Sequence, residues 1–208
     1  PDDIVDTYGA DTLRIYEMFM GPFTDAIAWK TSSLIGARRF LERAWRLQET
    51  LATEANADVE RVLNQTIKKV GEDIENFKFN TAISQMMIFV NVAEEKGLTK
   101  EQYQAFITVL APFAPHIADE IWHELGNTTS VNIVAWPKYD ESKLLADTVT
   151  LAVQVNGKAR AEITLPRDAS QADAEKAAKE AAAKWLEGKE PSRVIFVANR
   201  LVNLVLAN

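Results

Sequence analysis

Residues 110–122 read LAPFAPHIADEIW, and the placement of their two prolines decides how the rest of the chain is built. A proline ring cannot sit inside a helix without losing a backbone hydrogen bond, whereas the first turn of a helix accepts it. A helix that reaches Leu110 should therefore stop there, and a new one should begin at Pro115 or just after. In the new helix Ile117, Ile121, Trp122 and Leu125 share one apolar face, which requires partner helices. His116, Glu120 and His123 fall at i, i+4 and i+7, a spacing that can gather a metal. One helix face offering two imidazoles and one carboxylate is an incomplete ligand set, so core-edge and capping roles are the expectation.

Working outward toward the N-terminus, the same helical period recurs. Asp2 to Met20 reads as a short helix, a break at Gly9, and a second helix that Asp11 should cap. Gly21–Pro22 ends it. Trp29 to Leu51 places Leu34, Ala37, Leu41, Ala44 and Trp45 at helical spacing and predicts one long amphipathic helix with its arginines on other sides. Asp58 to Val70, Thr81 to Glu95 and Lys100 to Leu110 continue the pattern, separated by ENFKFN and EKGLTK. Together these segments predict an antiparallel helical bundle.

Toward the C-terminus the style changes after Gly126. SVNIVAWP reads as a short strand-like run, and residues 138–148 read as a polar connector. The last 60 residues read β–β–α–β–β. TLAVQVNGKARAEITL is a hairpin around Asn156–Gly157, a strong turn signal. A two-residue turn would pair Val153 with Arg160 and mix apolar and cationic side chains on one face. A three-residue loop with Gly157 in the left-handed region pairs Val153 with Ala159 and Leu151 with Ala161, and this register is the expectation. It sends Lys158 and Arg160 to solvent together. The alanine-rich Ser170–Leu186 should form a helix over a sheet completed by RVIFVA and LVNLVLA.

The predicted fold is thus α+β: a mainly α-helical bundle followed by a small β-β-α-β-β domain. The expected divisions are 1–28 as a helical connection, 29–137 as the bundle, 138–148 as linker and 149–208 as the terminal domain. Without cysteine, disulfides and thiolate chemistry are excluded. There is no glycine-rich phosphate loop, no nucleophile elbow and no apolar run of membrane-spanning length. The net charge of −7 argues against nucleic acid as a whole, yet it is segregated: residues 1–148 carry −9 and residues 149–208 carry +2. Inside the acidic part, Lys30, Arg38, Arg39, Arg43 and Arg46 oppose only Glu42. This is the architecture of a chain that holds a large partner.

Five stretches carry a family resemblance. PDDIVDTYGADTLRIYEMFMGP is similar to the segment that follows the Lys-Met-Ser-Lys-Ser catalytic loop of bacterial leucyl-tRNA synthetases, which are class I aminoacyl-tRNA synthetases. GARRFLERAWRL and LAPFAPHIADEIW resemble the first and last helices of their anticodon-binding helical domain. VQVNGKARAEITLP with RVIFVANRLVNLV resembles the terminal domain particular to the leucine enzymes. LAPFAPHIADEIW alone marks only the class Ia group, and the Val-Asn-Gly-Lys hairpin in its terminal position is what selects leucine.

The resemblance implies a parent ligase that uses ATP and Mg to attach leucine to tRNA. For these 208 residues, which lack the nucleotide-binding signatures of that chemistry, it implies a tRNA-binding part with no catalytic residue, metal or cofactor of its own. Its partners would be leucine tRNA and the catalytic core of the same polypeptide, with no membrane, in a cytoplasmic monomer. The implied tRNA contacts are Lys158 and Arg160 from the hairpin pattern, with Lys184, Arg193 and Arg200 added on charge, and Arg38, Arg39, Arg43 and Arg46 from the basic stripe. At least one stripe arginine should be structural, packed on Trp45 or Trp29. Ser33 stands where the family pattern expects glycine. The competing reading is a helical protein-interaction module without an RNA role.

Overall fold

The computed structural model describes residues 1–145 and 148–206, in two compact units, Pro1–Leu144 and Leu145–Asn208. Residues 146–147 of the expected linker, residue 207 of the expected last strand and residue 208 lie outside the described residues.

The first unit is helical: α1 (Asp2–Tyr8), α2 (Ala10–Phe19), α3 (Leu34–Arg46), α4 (Ala57–Glu75), α5 (Phe79–Lys96), α6 (Lys100–Leu110) and α7 (Pro115–Glu124). Local chemistry sets the ends. The Asn56 side chain accepts the N–H groups of Asp58 and Val59 at the start of α4, and Thr99 and Gln102 form a reciprocal capping box at the start of α6. Gly97 leaves α5 with φ of 74°, and Pro115 opens α7 at its first turn. The core is continuous, with Leu34, Ala44, Ile83, Phe89, Phe106 and Ile121 fully buried. Buried Tyr103 donates its hydroxyl to the carbonyl of Ala44 at 2.8 Å, so α6 satisfies a C-terminal carbonyl of α3.

Four expectations are corrected in this unit. Asp11 does not cap its own helix, because Gly9 occupies that position without a side-chain bond. Instead its carboxylate accepts the N–H groups of His116 (3.4 Å) and Ile117 (2.7 Å), capping α7 from a distant part of the chain. The helix expected from Trp29 to Leu51 is shorter, with 3-10 turns at Thr31–Ser33 and Leu47–Thr50 on either side of α3. Lys30 is extended and gives its N–H to the Tyr16 hydroxyl at 2.7 Å, while Trp29 meets the Tyr16 ring edge-on; these contacts remove residues 29 and 30 from the helix. SVNIVAWP forms no strand. It takes a 3-10 turn at Val131–Ile133, where Asp119 accepts from the Ser130 hydroxyl (2.7 Å) and the Val131 N–H (2.8 Å) and holds the chain in the turn. No arginine covers an indole among the described residues. Ser33 itself is right-handed (φ −78°), a conformation that does not require glycine.

Residues 136–144 run against α4. Asn64 accepts the Asp140 N–H at 2.6 Å, and Gln65 donates to the Leu144 carbonyl at 2.6 Å. Lys143 pairs with Glu60, and the Lys68 ammonium lies 5.6 Å from the centre of the Tyr139 ring. The Trp136 indole lies against Gly71, its nitrogen 3.4 Å from where a Cβ would stand, an ordinary van der Waals distance.

The second unit is a sheet of β1 (Thr148–Val155), β2 (Lys158–Pro166), β3 (Arg193–Val197) and β4 (Leu201–Val205) in the order β2-β1-β4-β3. Strands β1 and β4 are parallel, and the outer pairs are antiparallel. One face is covered by α8 (Gln171–Ala181) and the short α9 (Ala183–Leu186), whose Ala174, Ala178, Ala182 and Leu186 pack against Leu151, Val153, Val155, Val202 and Leu204. The hairpin register differs from expectation. The turn has two residues, Asn156 (φ 49°) and Gly157 (φ 78°), and Val155 pairs with Lys158. The clash foreseen for such a turn is removed one step later. A β-bulge leaves Arg160 without a cross-strand partner, so that Val153 pairs with Ala161 and Leu151 with Ile163. The apolar face is kept, with Val155 in it and Ala159 exposed.

Candidate nucleic-acid interface

Cations are distributed differently in the two units. On α3 the four arginines separate into two pairs. Arg43 is committed to the bundle: its Nε donates to Glu94 at 3.0 Å and its terminal nitrogen to Asn91 at 2.6 Å. This pairing with Glu94 raises its pKa still further above the usual arginine value. Arg38 pairs with Glu42 at 2.9 Å and donates to the Tyr8 carbonyl at 3.1 Å, tying α3 to the end of α1. Arg39 and Arg46 are exposed, and no described residue forms a hydrogen bond or ion pair with either side chain. They are the α3 cations available to an external anion.

A groove of about 800 Å³ runs beside Arg46 in the same unit, lined also by Tyr8, Arg38, Leu41, Trp45 and Ile117, with His116 and Glu120 at its wall. The residues spaced like metal ligands therefore divide. His116 and Glu120 line the groove, while the Nδ1 of His123 lies 2.9 Å from the Asn127 carbonyl and its Nε2 3.7 Å from Asp119. No group of three or more His, Asp or Glu among the described residues is placed to share a metal ion.

In the second unit the topology sorts the candidates by end. Because β2 and β3 run opposite to β1 and β4, Lys158 at the start of β2 and Arg193 at the start of β3 lie at the same end of the sheet. The chain must return from the far end of β2 to the near end of β3. An 11-residue α8 spans about 16 Å, roughly the length of a five-residue strand, and so delivers Lys184 on α9 to the Lys158 end. Lys158 and Arg193 occupy the two edge strands, three spacings or about 14 Å apart. Arg160 is two residues along β2 from Lys158. Arg200, in the β3–β4 turn, lies at the opposite end. Lys158, Arg160, Lys184, Arg193 and Arg200 are all exposed, and none forms an ion pair with a described residue.

Two arrangements were not foreseen from the sequence. Arg14 donates to the carbonyls of Pro112 (2.8 Å) and Phe113 (3.1 Å), three residues along α2 from the Asp11 cap, so one helix grips both sides of the proline break. In the terminal unit, the hairpin tip is tied to β4 by Asn156 and Asn203: the Gly157 N–H donates to Asn203 Oδ1 at 3.1 Å and the Leu206 N–H to Asn156 Oδ1 at 2.9 Å. An asparagine before glycine signals the turn, but nothing in the sequence pairs it with an asparagine 47 residues later.

The chain matches the family described as the anticodon-binding domain of tRNA ligase over residues 56–177. Among solved structures it is similar to one described as the crystal structure of the ternary complex of Agrobacterium radiobacter K84 agnB2 LeuRS, tRNA and LeuAMS. The identity is 29% and the TM-score 0.79, with 100% of this chain covered and 30% of the other, so the chain spans about a third of that protein's length.

Proposed function

The chain belongs to the anticodon-binding domain family of tRNA ligases, and from this premise we propose that it is the tRNA-binding C-terminal region of a leucine-tRNA ligase. It holds and positions leucine tRNA while the parent enzyme attaches leucine. The observation that carries this reading is the likeness, over the whole chain and both units, to a leucyl enzyme whose structure was determined with tRNA. The geometry supports it: solvent-facing cations without protein partners gather at one end of the terminal unit, as phosphate contacts require. A double-stranded RNA partner is read largely by shape and backbone, which suits scattered cations on a rigid scaffold better than base-reading pockets.

ATP and Mg²⁺ are assigned in this proposal to the remainder of the parent enzyme. Among the described residues no three or more His, Asp or Glu side chains are grouped to hold a metal ion. The chain acts as a cytoplasmic monomer in this reading, and none of its described helices is long and apolar enough to cross a membrane. A pure protein-interaction role would leave the unpaired cations of α3 and of the β2 end without an anion.

Binding of the 208-residue chain to a leucine tRNA transcript and to a non-cognate tRNA, titrated against salt, tests the proposal. Steeply salt-dependent binding that favours the leucine tRNA is expected. Absence of binding at low salt would remove RNA recognition from this chain.

A further inference from the structure

We propose that Asn203 is a positioning residue for an RNA contact made by Lys158 and Arg160, an assignment that rests on the tRNA-binding reading above. An Asn-Gly turn closes a two-residue hairpin by its own conformational preferences and needs no help from outside. Here it receives help from a strand that is not its hairpin partner. The Gly157 N–H, which such a turn exposes, is taken by Asn203 Oδ1. The Asn156 N–H donates to the Leu204 carbonyl at 3.0 Å, and Asn156 Oδ1 takes the Leu206 N–H. Three bonds thus fasten the tip to β4.

The position of the tip matters because of the two cations just beyond it. Lys158 is the first residue after the turn, and Arg160 is the unpaired residue of the bulge. A bulge re-aims its side chain and keeps Arg160 out of the apolar row of Val153 and Ala161. Both cations therefore sit on a short segment fixed by the tied turn on one side and by the resumed ladder on the other. Two cations held in this way lose little conformational freedom on meeting phosphates. A comparable interlock at the other end of the unit, where Asp168 and Asn199 exchange hydrogen bonds of 3.0 and 2.8 Å, fastens two turns without reaching this segment. It provides an internal control.

The experiment is a double-mutant cycle on the 208-residue chain, reading affinity for a leucine tRNA transcript and its salt dependence. Lys158→Ala and Arg160→Ala should each weaken binding about fivefold and lower the salt slope by about one. Asn203→Ala should weaken binding by a similar factor, and it should have little further effect once Lys158 and Arg160 are both alanine. Asn199→Ala should show no such coupling. Asn203→Thr, which suits a strand and is too short to reach the turn, repeats the measurement if the alanine variant disturbs folding. Wild-type binding for both Asn203 variants, or losses that simply add to those of the cations, would overturn the positioning role. Wild-type binding for Lys158→Ala and Arg160→Ala would overturn the contact itself, a separate failure from that of Asn203.

Discussion

Asp11 and Ile117 stand 106 positions apart in the chain, and the carboxylate of the first accepts the main-chain N–H of the second at 2.7 Å. Asp11 is 7% exposed, and a carboxylate at a helix N-terminus meets both the free N–H groups and the positive end of the helix dipole. Asp11→Ala should cost about 1 to 2 kcal/mol, within the range of a lost cap. Denaturant unfolding should show the loss, and hydrogen exchange should show faster exchange confined first to the amides of His116 and Ile117. Unchanged protection there would contradict the capping role.

Phe77 reverses the usual ranking of glycine and alanine. It follows α4 with φ of 55° and is 60% exposed, in a position where a helix commonly places glycine. Phe77→Gly should be more stable than Phe77→Ala by about 1 kcal/mol, because only glycine enters this region without strain. Thermal melting of the two variants compares them directly, since both lose the same ring contacts with Phe23 and Phe79. Equal melting temperatures would mean that the backbone relaxes out of the left-handed region.

The arginines of α3 should divide by phenotype as they divide by contact. Arg43→Ala removes the link to Glu94 and Asn91 on α5 and should lower stability by about 1 kcal/mol, with little change in the salt dependence of tRNA binding. Arg39→Ala and Arg46→Ala should leave stability within about 0.5 kcal/mol. If α3 faces RNA, each should reduce the salt slope by about one. A slope change for Arg43 alone would invert the assignment.

Asp119 gives the bundle an acid-sensitive joint. The Ser130 hydroxyl first, and then the Val131 N–H, hold its carboxyl below the usual aspartate pKa. A carboxylate whose pKa is lower in the folded protein contributes stability above its unfolded pKa of about 3.9 and loses it as pH falls through the folded value. Asp119→Asn should therefore narrow the stability gap between neutral and acid conditions, with the two proteins differing by about 1 kcal/mol at pH 7 and converging as pH falls through the lowered carboxyl pKa. A gap that persists in acid would assign the difference to packing.

Helical period and punctuation made the bundle legible: α6 runs from Lys100 to Leu110 and α7 opens at Pro115, as the prolines dictate. The terminal order of strands and helix was legible for the same reason, through alternation and the Asn156–Gly157 turn. Long-range choices were not. The alternation in SVNIVAWP resembles a strand, and it is the contacts of Ser130 and Val131 with Asp119 that hold the turn formed there instead. The hairpin register turned on whether a conflict at Arg160 is relieved in the loop or in the ladder, and local preference for the two-residue turn won, with the bulge absorbing the extra residue. Asp11 looks like a cap for the helix it belongs to, because sequence proximity cannot reveal that α7 lacks a cap of its own. Among the candidate cations, charge could name Arg43 and Arg46 alike, and only the position of Glu94 separates them.

The expected linker of residues 138–148 looks by composition like a place to cut the chain, yet α4 holds its first part through main-chain groups of Asp140 and Leu144. Trypsin should accordingly be slow at Lys138 and Lys143 while the bundle is folded, since a protease needs a freely extended backbone. A truncation at residue 137 would leave Asn64, Gln65 and Glu60 without their partners and uncover a flank of α4. The helical unit should be expressed through Leu144 when it is wanted alone, and the strap then travels with the helix that it covers.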